Sequence, residues 1–223
     1  MNELELFAIK YSLIVALISV IINIPLSILA VYFLRKCSSF FKIIFETLFS
    51  LPLILPPIVT GYILLFIFSK NFILGKFLYN IFGISIPFTF YASVLASSIV
   101  SFPIVLRLIK LTFDSIDPIY IKISRGLGKS RIQAFFLVTI PLATKGIISA
   151  SLLGFARAIG EFGANIMLAG NIPYKTTTIP VAIFSFFNQT DGDTSVIRLV
   201  LISVFISLTA MMISEILNKA NKL

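Results

Sequence analysis

Long apolar runs without charged residues dominate the chain and determine its fold class. At 1.5 Å per residue, about 20 helical residues cross the roughly 30 Å hydrocarbon layer of a bilayer. Three runs reach this length: Tyr11–Leu34, Thr47–Ser69 and Phe77–Leu106. We expect the third span to begin near Ile84. A shorter fourth run, Leu199–Ser214, is flanked by Arg198 and Glu215, whose long stems can extend it outward.

A fifth run, Gly146–Gly170, has the length of a span but contains Arg157 and Glu161. Opposite charges four residues apart lie one helical turn apart, so they can pair while facing protein or water. Small residues recur at every fourth position of this run, which lets neighbouring backbones approach closely. They are Gly146, Ala150, Gly154 and Ala158. We therefore predict one continuous helix here, at the centre of an all-α integral membrane protein with about five transmembrane helices.

The segment Thr176–Thr190 is also free of charge, but it contains Pro180 and many polar residues. Such a composition does not suit a lipid-facing span, because hydrocarbon offers no partners for polar groups. We predict an external re-entrant or interfacial segment at this position.

Five crossings place the two termini on opposite sides of the membrane. If the segment after the first helix is cytoplasmic, 12 of the 18 Lys and Arg residues lie on that side, five lie outside, and Arg157 lies in the membrane. Cytoplasmic loops carry the excess of basic residues in membrane proteins. The distribution predicts an external N-terminus and a cytoplasmic C-terminus. It also explains the net charge of +9 without a nucleic-acid partner.

The composition narrows the chemistry that the chain can perform. Of its 223 residues, 58% are hydrophobic and 12% are charged, and the mean hydropathy is +1.07, beyond what one soluble core buries. The chain has no His and a single Cys, Cys37, so no His/Cys metal site or Cys/His nucleophile can form within it. Gly128-Lys129-Ser130 resembles the end of a phosphate-binding loop, but Ile123 occupies the position of the required first glycine.

Prolines interrupt the second apolar run at Pro52, Pro56 and Pro57. Proline lacks the N–H that a helix needs, so the pattern predicts a kink or a break. Non-helical backbone at membrane depth persists only where it is buried in protein or lines a watery cavity. These prolines, with Thr60 and Gly61, are therefore candidates for a translocation path or gate. The alternative is a kinked helix that serves packing alone.

The segment 107–145 is long for a connection in a small membrane protein. Its pattern predicts a helix at Pro118–Arg125, a break at Gly126 and Gly128, and a second helix at Ser130–Val138. Two interpretations stand: a surface that enters a groove of a partner protein, and a hairpin that rests on anionic lipid. The apolar residues are Ile121, Leu127, Ile132, Phe135 and Phe136, and the cations are Lys122, Arg125, Lys129 and Arg131.

Three stretches resemble ABC importer permeases. Ile121–Pro141 resembles the coupling loop of that family: Gly128 and Ile140-Pro141 match its pattern, whereas Lys122-Ile123-Ser124 stands where Glu-Ala-Ala is usual. In this loop Pro141 is expected to precede the central span. Leu51–Tyr62 is similar to the proline-rich second helix of molybdate permease subunits, and Phe155–Ala164 to their central-helix signature. The resemblance covers roughly residues 8–215.

The resemblance implies a type I ABC importer permease bundle over residues 8–215, in the bacterial cytoplasmic membrane. Such a permease pairs with a second copy of itself, binds two cytoplasmic ATP-binding subunits and receives an oxyanion from an extracytoplasmic binding protein. The implied function is ATP-driven import of molybdate or tungstate, with hydrolysis by the partner ATPase and no cofactor or metal held by this chain. The implied coupling residues are Ile121, Arg125, Gly126, Gly128, Lys129, Arg131, Phe135 and Pro141.

Other functions remain open from the sequence. A sulfate or thiosulfate permease is the nearest alternative, because these oxyanions carry the same charge as molybdate. A stand-alone channel or secondary carrier would need neither ATP nor a coupling loop. A membrane hydrolase or transferase is disfavoured, because Glu161, Asp114 and Asp117 share no helical face on which an acid/base pair could converge.

Arg157 and Glu161 admit two roles. The guanidinium can attract an oxyanion that the carboxylate then releases by competing for it, or the two can form a structural pair. We favour the structural pair, because charges inside membrane proteins commonly pair within the bundle. The carboxylate also cancels most of the field that an anion would feel.

Overall fold

A computed structural model describes residues 1–190 and 192–219, which contain helices and no strand. The helices are α1 (Glu3–Leu34), α2 (Ser39–Ile54), α3 (Pro57–Phe68), α4 (Ile73–Phe82), α5 (Phe90–Asp114), α6 (Pro118–Gly126), α7 (Arg131–Ala134), α8 (Ile140–Ile159), α9 (Gly163–Leu168), α10 (Ile179–Phe187) and α11 (Asp193–Lys219). A π-turn, Phe135–Thr139, joins α7 to α8, and we call the continuous helix Arg131–Ile159 the central helix.

Four continuous helices are long and apolar enough to cross a membrane: Glu3–Leu34, Phe90–Asp114, Arg131–Ile159 and Asp193–Leu217. The pair α2 and α3, which is bent by 111° at a short break, passes the same test when it is taken as one span and is the fifth candidate. The predicted all-α membrane protein with about five transmembrane helices is therefore confirmed. One of the five is broken.

Polar contacts show in which direction α1, α5 and α11 run relative to one another. Near the start of both helices, the Tyr11 hydroxyl on α1 donates to Ser93 Oγ on α5 at 2.9 Å, and near their ends Arg35 pairs with Asp114, also at 2.9 Å. The two helices therefore run parallel. Arg198, near the start of α11, pairs with Glu5 of α1 at 2.7 Å. We call the end of the bundle where α1 and α5 finish the basic end.

The small residues predicted to permit close packing do so. Gly146 lies against Thr112 of α5 and Gly154 against Val105, with no room for a Cβ at either position. Ala150 is fully buried in a cluster with Val31 and Val105. The central helix therefore packs against α1 and α5 along its length, as predicted for the centre of the bundle.

The bounds of the central helix differ from the prediction Gly146–Gly170. The helix begins at Arg131 and ends at Ile159, so the predicted second loop helix is its first part. Pro141 lies inside this helix rather than ahead of it. A proline ring clashes with the regular helical path one turn earlier. The π-turn, in which Ile140 donates to the Phe135 carbonyl five residues back, relaxes that path just before Pro141.

The third span begins at Phe90, not near Ile84. The chain between α3 and α5 forms the separate helix α4, and Gly83 caps its end in the left-handed conformation, with a φ of 65°. Such a glycine satisfies the last carbonyls of a helix and stops it. Pro87 follows in the connection to α5, and the Phe88 N–H donates to the Leu168 carbonyl at 3.0 Å.

The segment Thr176–Thr190 contains α10, whose nine residues are too few to cross a bilayer. Thr176, Thr177 and Thr178 ahead of it are buried, and Ile179 N–H donates to Ser12 Oγ of α1 at 2.7 Å. The segment is thus a short helix held against α1 and α11, in agreement with a non-spanning element.

Candidate functional site

The break between α2 and α3 follows from the three prolines. Pro52 lies within α2, which ends at Ile54, and Pro57 is the first residue of α3. Pro56 has a φ of −53° and a ψ of 133°, which is an extended rather than a helical conformation. Proline disfavours helical geometry in the residue before it, so Pro57 holds Pro56 out of the helix. The predicted kink or break is a full break.

A second break faces the first. The chain leaves the helix after Ile159, and it re-enters a short helix, α9, at Gly163. A Cβ built on Gly163 would lie 2.9 Å from the Ile58 nitrogen, and one built on Gly61 would lie 2.7 Å from Ala164 Cα. The irregular backbone at 55–56 therefore precedes α3, and that at 160–162 precedes α9. Helices α3 and α9 are in direct backbone contact with each other.

Glu161 lies in this second break and organises it. Its side chain is 1% exposed, its Oε2 lies 2.8 Å from Arg157 Nη1, and its Oε1 accepts from the Ala164 N–H at 2.8 Å. Asn165 donates to the Glu161 carbonyl at 3.1 Å and to Ser97 Oγ at 3.0 Å. The carboxylate thus joins the end of the central helix to α9, and Asn165 joins α9 to α5.

Two polar atoms near the breaks lack a hydrogen-bond partner among the described residues, Thr60 Oγ1 and Asn165 Oδ1. Both are buried, and a buried polar atom without a partner costs about 1–3 kcal/mol. Thr60 and Gly61 were predicted from the proline pattern. Asn165 and Gly163 were not, because the apolar run to Gly170 concealed the break. The pair Gly160 and Gly163 was the sequence signal for it.

Replacing Arg157 with Gln is expected to prevent assembly. It leaves the Glu161 carboxylate buried without its cation, and removing one partner of a buried ion pair costs about 3–5 kcal/mol. Yield and monodispersity of the purified protein measure this effect. The double variant Arg157→Gln/Glu161→Gln, which leaves no unpaired charge, is expected to recover assembly. Normal assembly of Arg157→Gln with lost transport would instead favour a role of Arg157 in the path.

The second candidate region lies at the basic end, between α5 and the central helix. Asp117 caps α6 by accepting from the Ile119 N–H at 2.8 Å, and Gly128 has a φ of 83°, which favours glycine. Ser130 Oγ accepts from the Gln133 N–H, and Gln133 Oε1 accepts from the Ser130 N–H, at 3.2 and 2.9 Å. This reciprocal capping box starts the central helix. Gly126, predicted in the break, is instead the last residue of α6.

The tip of this region is apolar and uncovered. Leu127 is 77% exposed and Ile132 is 62% exposed, beside the exposed cations Lys122, Lys129 and Arg131. Phe135 was predicted to lie on this exposed apolar surface, but it points into the bundle. Its ring centroid lies 5.5 Å from that of Tyr32 on α1 and 5.7 Å from that of Phe113 on α5, so it anchors the segment to the bundle. Ile121 is half-buried, whereas Arg125 and Pro141 are exposed.

The geometry is thus a helical bundle with two helix breaks next to each other and an apolar tip, flanked by exposed cations, at one end. The model of one protein family, described as the binding-protein-dependent transport system inner membrane component, matches residues 23–222. The chain belongs to this family. The family description, an inner membrane component, agrees with the five candidate crossings of this chain. As a member of this family the chain is a transport component rather than an enzyme.

Individual relatives agree with the family. The chain is 38% identical to the molybdenum transport system permease protein ModB of Haemophilus influenzae over 97% of its own length and 94% of that protein. It is 32% identical to the sulfate transport system permease protein CysT of Salmonella typhimurium over 85% and 68% of the two chains. Its fold matches that of a bacterial ABC transporter involved in alginate import, with a TM-score of 0.71 at 16% identity, over 100% and 80% of the two chains.

Proposed function

We propose that the chain is the membrane-spanning permease of an ATP-driven importer of molybdate, with tungstate as a second substrate. The observation that carries this proposal is the 38% identity to a molybdenum permease along 97% of the chain. The identity to a sulfate permease is lower and extends over less of both chains. Sulfate and thiosulfate are therefore the alternative substrates.

The family description names a binding-protein-dependent system, and an ABC transporter couples such a permease to a partner ATPase. We propose two copies of this chain, two cytoplasmic ATP-binding subunits and one extracytoplasmic binding protein. The exposed apolar side chains of α2, which has no buried residue, support a second copy or lipid beside it. The tip formed by Leu127 and Ile132 supports the ATPase contact, because exposed apolar groups flanked by cations fit a protein groove.

The two helix breaks are the proposed gate. Irregular backbone is tolerated at membrane depth where it lines a cavity, and the break 55–56 adjoins the buried Thr60 hydroxyl, which has no partner among the described residues. ATP-driven closure of the two ATPases would move α6 and the central helix that follows it, and the central helix ends at the second break. We propose that this movement of α6 and the central helix opens the path alternately to the outside and to the cytoplasm.

Selectivity is expected to reside in the binding protein. The sharpest test is titration of the partner binding protein with molybdate, tungstate and sulfate by calorimetry. Tight binding of molybdate and tungstate with weak binding of sulfate supports the proposal. Preference for sulfate would establish the alternative substrate.

Orientation is tested through Cys37, the single cysteine of the chain, which lies partly exposed at the basic end. With this end in the cytoplasm, a membrane-impermeant maleimide is expected to label Cys37 in inverted vesicles and not in intact spheroplasts. The matched control is Cys37→Ser combined with Lys175→Cys, at an exposed position near the other end of the bundle. It should show the opposite pattern. Labelling of Cys37 in intact spheroplasts would reverse the proposed orientation.

A further inference from the structure

A basic cavity lies beside the tip rather than on it, between the end of α1, α6 and the π-turn. Its volume of about 360 Å³ falls in the range of about 300–1,000 Å³ that is typical of small-molecule sites. Its lining includes four cations, Arg35, Lys36, Arg125 and Arg131. Leu127, at the exposed tip, is not part of it.

The charges in this cavity are only partly neutralised. Asp114 pairs with Arg35 at 2.9 Å, and the Lys36 ammonium lies 4.3 Å from the centre of the Tyr32 ring. Among the described residues, neither Arg125 nor Arg131 lies within ion-pair distance of a carboxylate. Four lining cations against one neighbouring carboxylate leave an excess of three positive charges, which favours an anionic occupant.

Thr139 contributes a buried hydroxyl to the lining of this cavity. It lines the same cavity and is 1% exposed, and its Oγ1 has no hydrogen-bond partner among the described residues. Native proteins pair nearly all buried hydroxyls with protein or water. Rotation of the Thr139 side chain toward the cavity would let this hydroxyl donate to an oxygen of an anion held by the four cations.

An apolar groove continues from the cavity toward the membrane. It shares Tyr32 and Phe135 with the cavity, and the rest of its lining is aliphatic or aromatic: Ile28, Leu29, Ile132 and Phe136. Leu29 is 62% exposed, so the groove opens sideways from α1. The charge-free run of α1 ends at Leu34, and Arg35 and Lys36 follow it, so the cavity lies at headgroup level and the groove at acyl-chain level.

We propose that this pair of sites binds one anionic phospholipid, with the phosphate in the basic cavity and an acyl chain in the apolar groove. The cations and the Thr139 hydroxyl bind the phosphate oxygens, and the groove accommodates the chain without a polar contact. The lipid would fix the end of α1 against α6 and the π-turn. This site shares Arg131 and Ile132 with the border of the apolar tip but does not include Leu127, and it does not depend on which oxyanion is carried.

Native mass spectrometry of the purified transporter complex tests the site with phosphatidylglycerol and phosphatidylcholine of matched acyl chains. We expect retained phosphatidylglycerol in the wild-type complex. The variant Arg125→Gln/Arg131→Gln should bind it about 25-fold more weakly, at about fivefold per lost cation. Thr139→Val should weaken binding about tenfold, and it removes no hydrogen bond within the protein.

The matched control is Lys122→Gln/Lys129→Gln, which removes the same charge from the same segment outside the cavity. It should bind phosphatidylglycerol as the wild type does. Equal loss in this control would mean general charge attraction and would overturn the site, as would equal retention of both lipids by the wild type. Displacement of phosphatidylglycerol by inorganic phosphate at equal concentration would also overturn it, because the acyl chain would then contribute nothing.

Discussion

Leu127→Asp is expected to release the partner ATPase and abolish transport while the chain itself stays folded. Leu127 is 77% exposed, so the substitution disturbs no internal packing. In the proposed complex the side chain enters an apolar groove, and a central interface residue of this kind contributes about 2 kcal/mol or more, roughly a 30-fold change in affinity. Co-purification of the ATPase on a tagged permease measures the effect.

Ile73→Asp is the matched control for this variant. Ile73 is 81% exposed and begins α4, away from the basic end. Ile73→Asp therefore replaces an apolar side chain with a carboxylate at an exposure similar to that of Leu127. It should keep the ATPase bound. Retention of the ATPase by Leu127→Asp would contradict the assignment of the tip, and loss in both variants would point to general instability.

Gly61→Val is expected to separate α3 from α9 and to stop transport. Even the first carbon of a side chain at this position would lie 2.7 Å from Ala164 Cα and 2.8 Å from the Ala164 carbonyl oxygen, so backbone must move. Overpacking of this kind costs about 1–3 kcal/mol, and a β-branched residue adds further atoms. The melting temperature of the purified complex and its transport rate should both fall.

Gly160→Ala provides the comparison. The nearest atoms to an added Cβ are 3.8 and 4.0 Å away, which is ordinary contact, so this variant should melt and transport like the wild type. Ala164→Gly should not rescue Gly61→Val, because the close atoms belong to the Ala164 backbone. Normal stability and transport of Gly61→Val would show that contact of the two helices is not required.

Much of this fold was predictable because a helix that crosses lipid needs a long run of residues without charge. Charge-free runs of sufficient length located the crossings, and small residues at Gly146, Ala150 and Gly154 identified the helix that packs at the centre. The proline pattern located the break at Pro56, because a missing N–H and the restricted residue before a proline act locally. These signals need no knowledge of distant contacts.

Other features depend on contacts that the sequence does not reveal. The central helix ends at Ile159, where Glu161 is held in the irregular segment by Arg157 and by the Ala164 N–H, although its spacing from Arg157 also suits a helix. Phe135 belongs to an amphipathic pattern, but its inward position follows from contacts with Tyr32 and Phe113 on two other helices. The lipid cavity likewise needs Arg35 and Arg125, which are 90 positions apart in the chain.

Reconstituted uptake tests the central claim most directly. Proteoliposomes containing the permease, the partner ATPase and the binding protein are loaded with ATP on the ATPase side, and uptake of radiolabelled molybdate is followed. We predict uptake that requires all three proteins and hydrolysable ATP, and that excess tungstate inhibits more strongly than excess sulfate. Equal molybdate uptake by the permease alone, without ATP or its partners, would contradict the account.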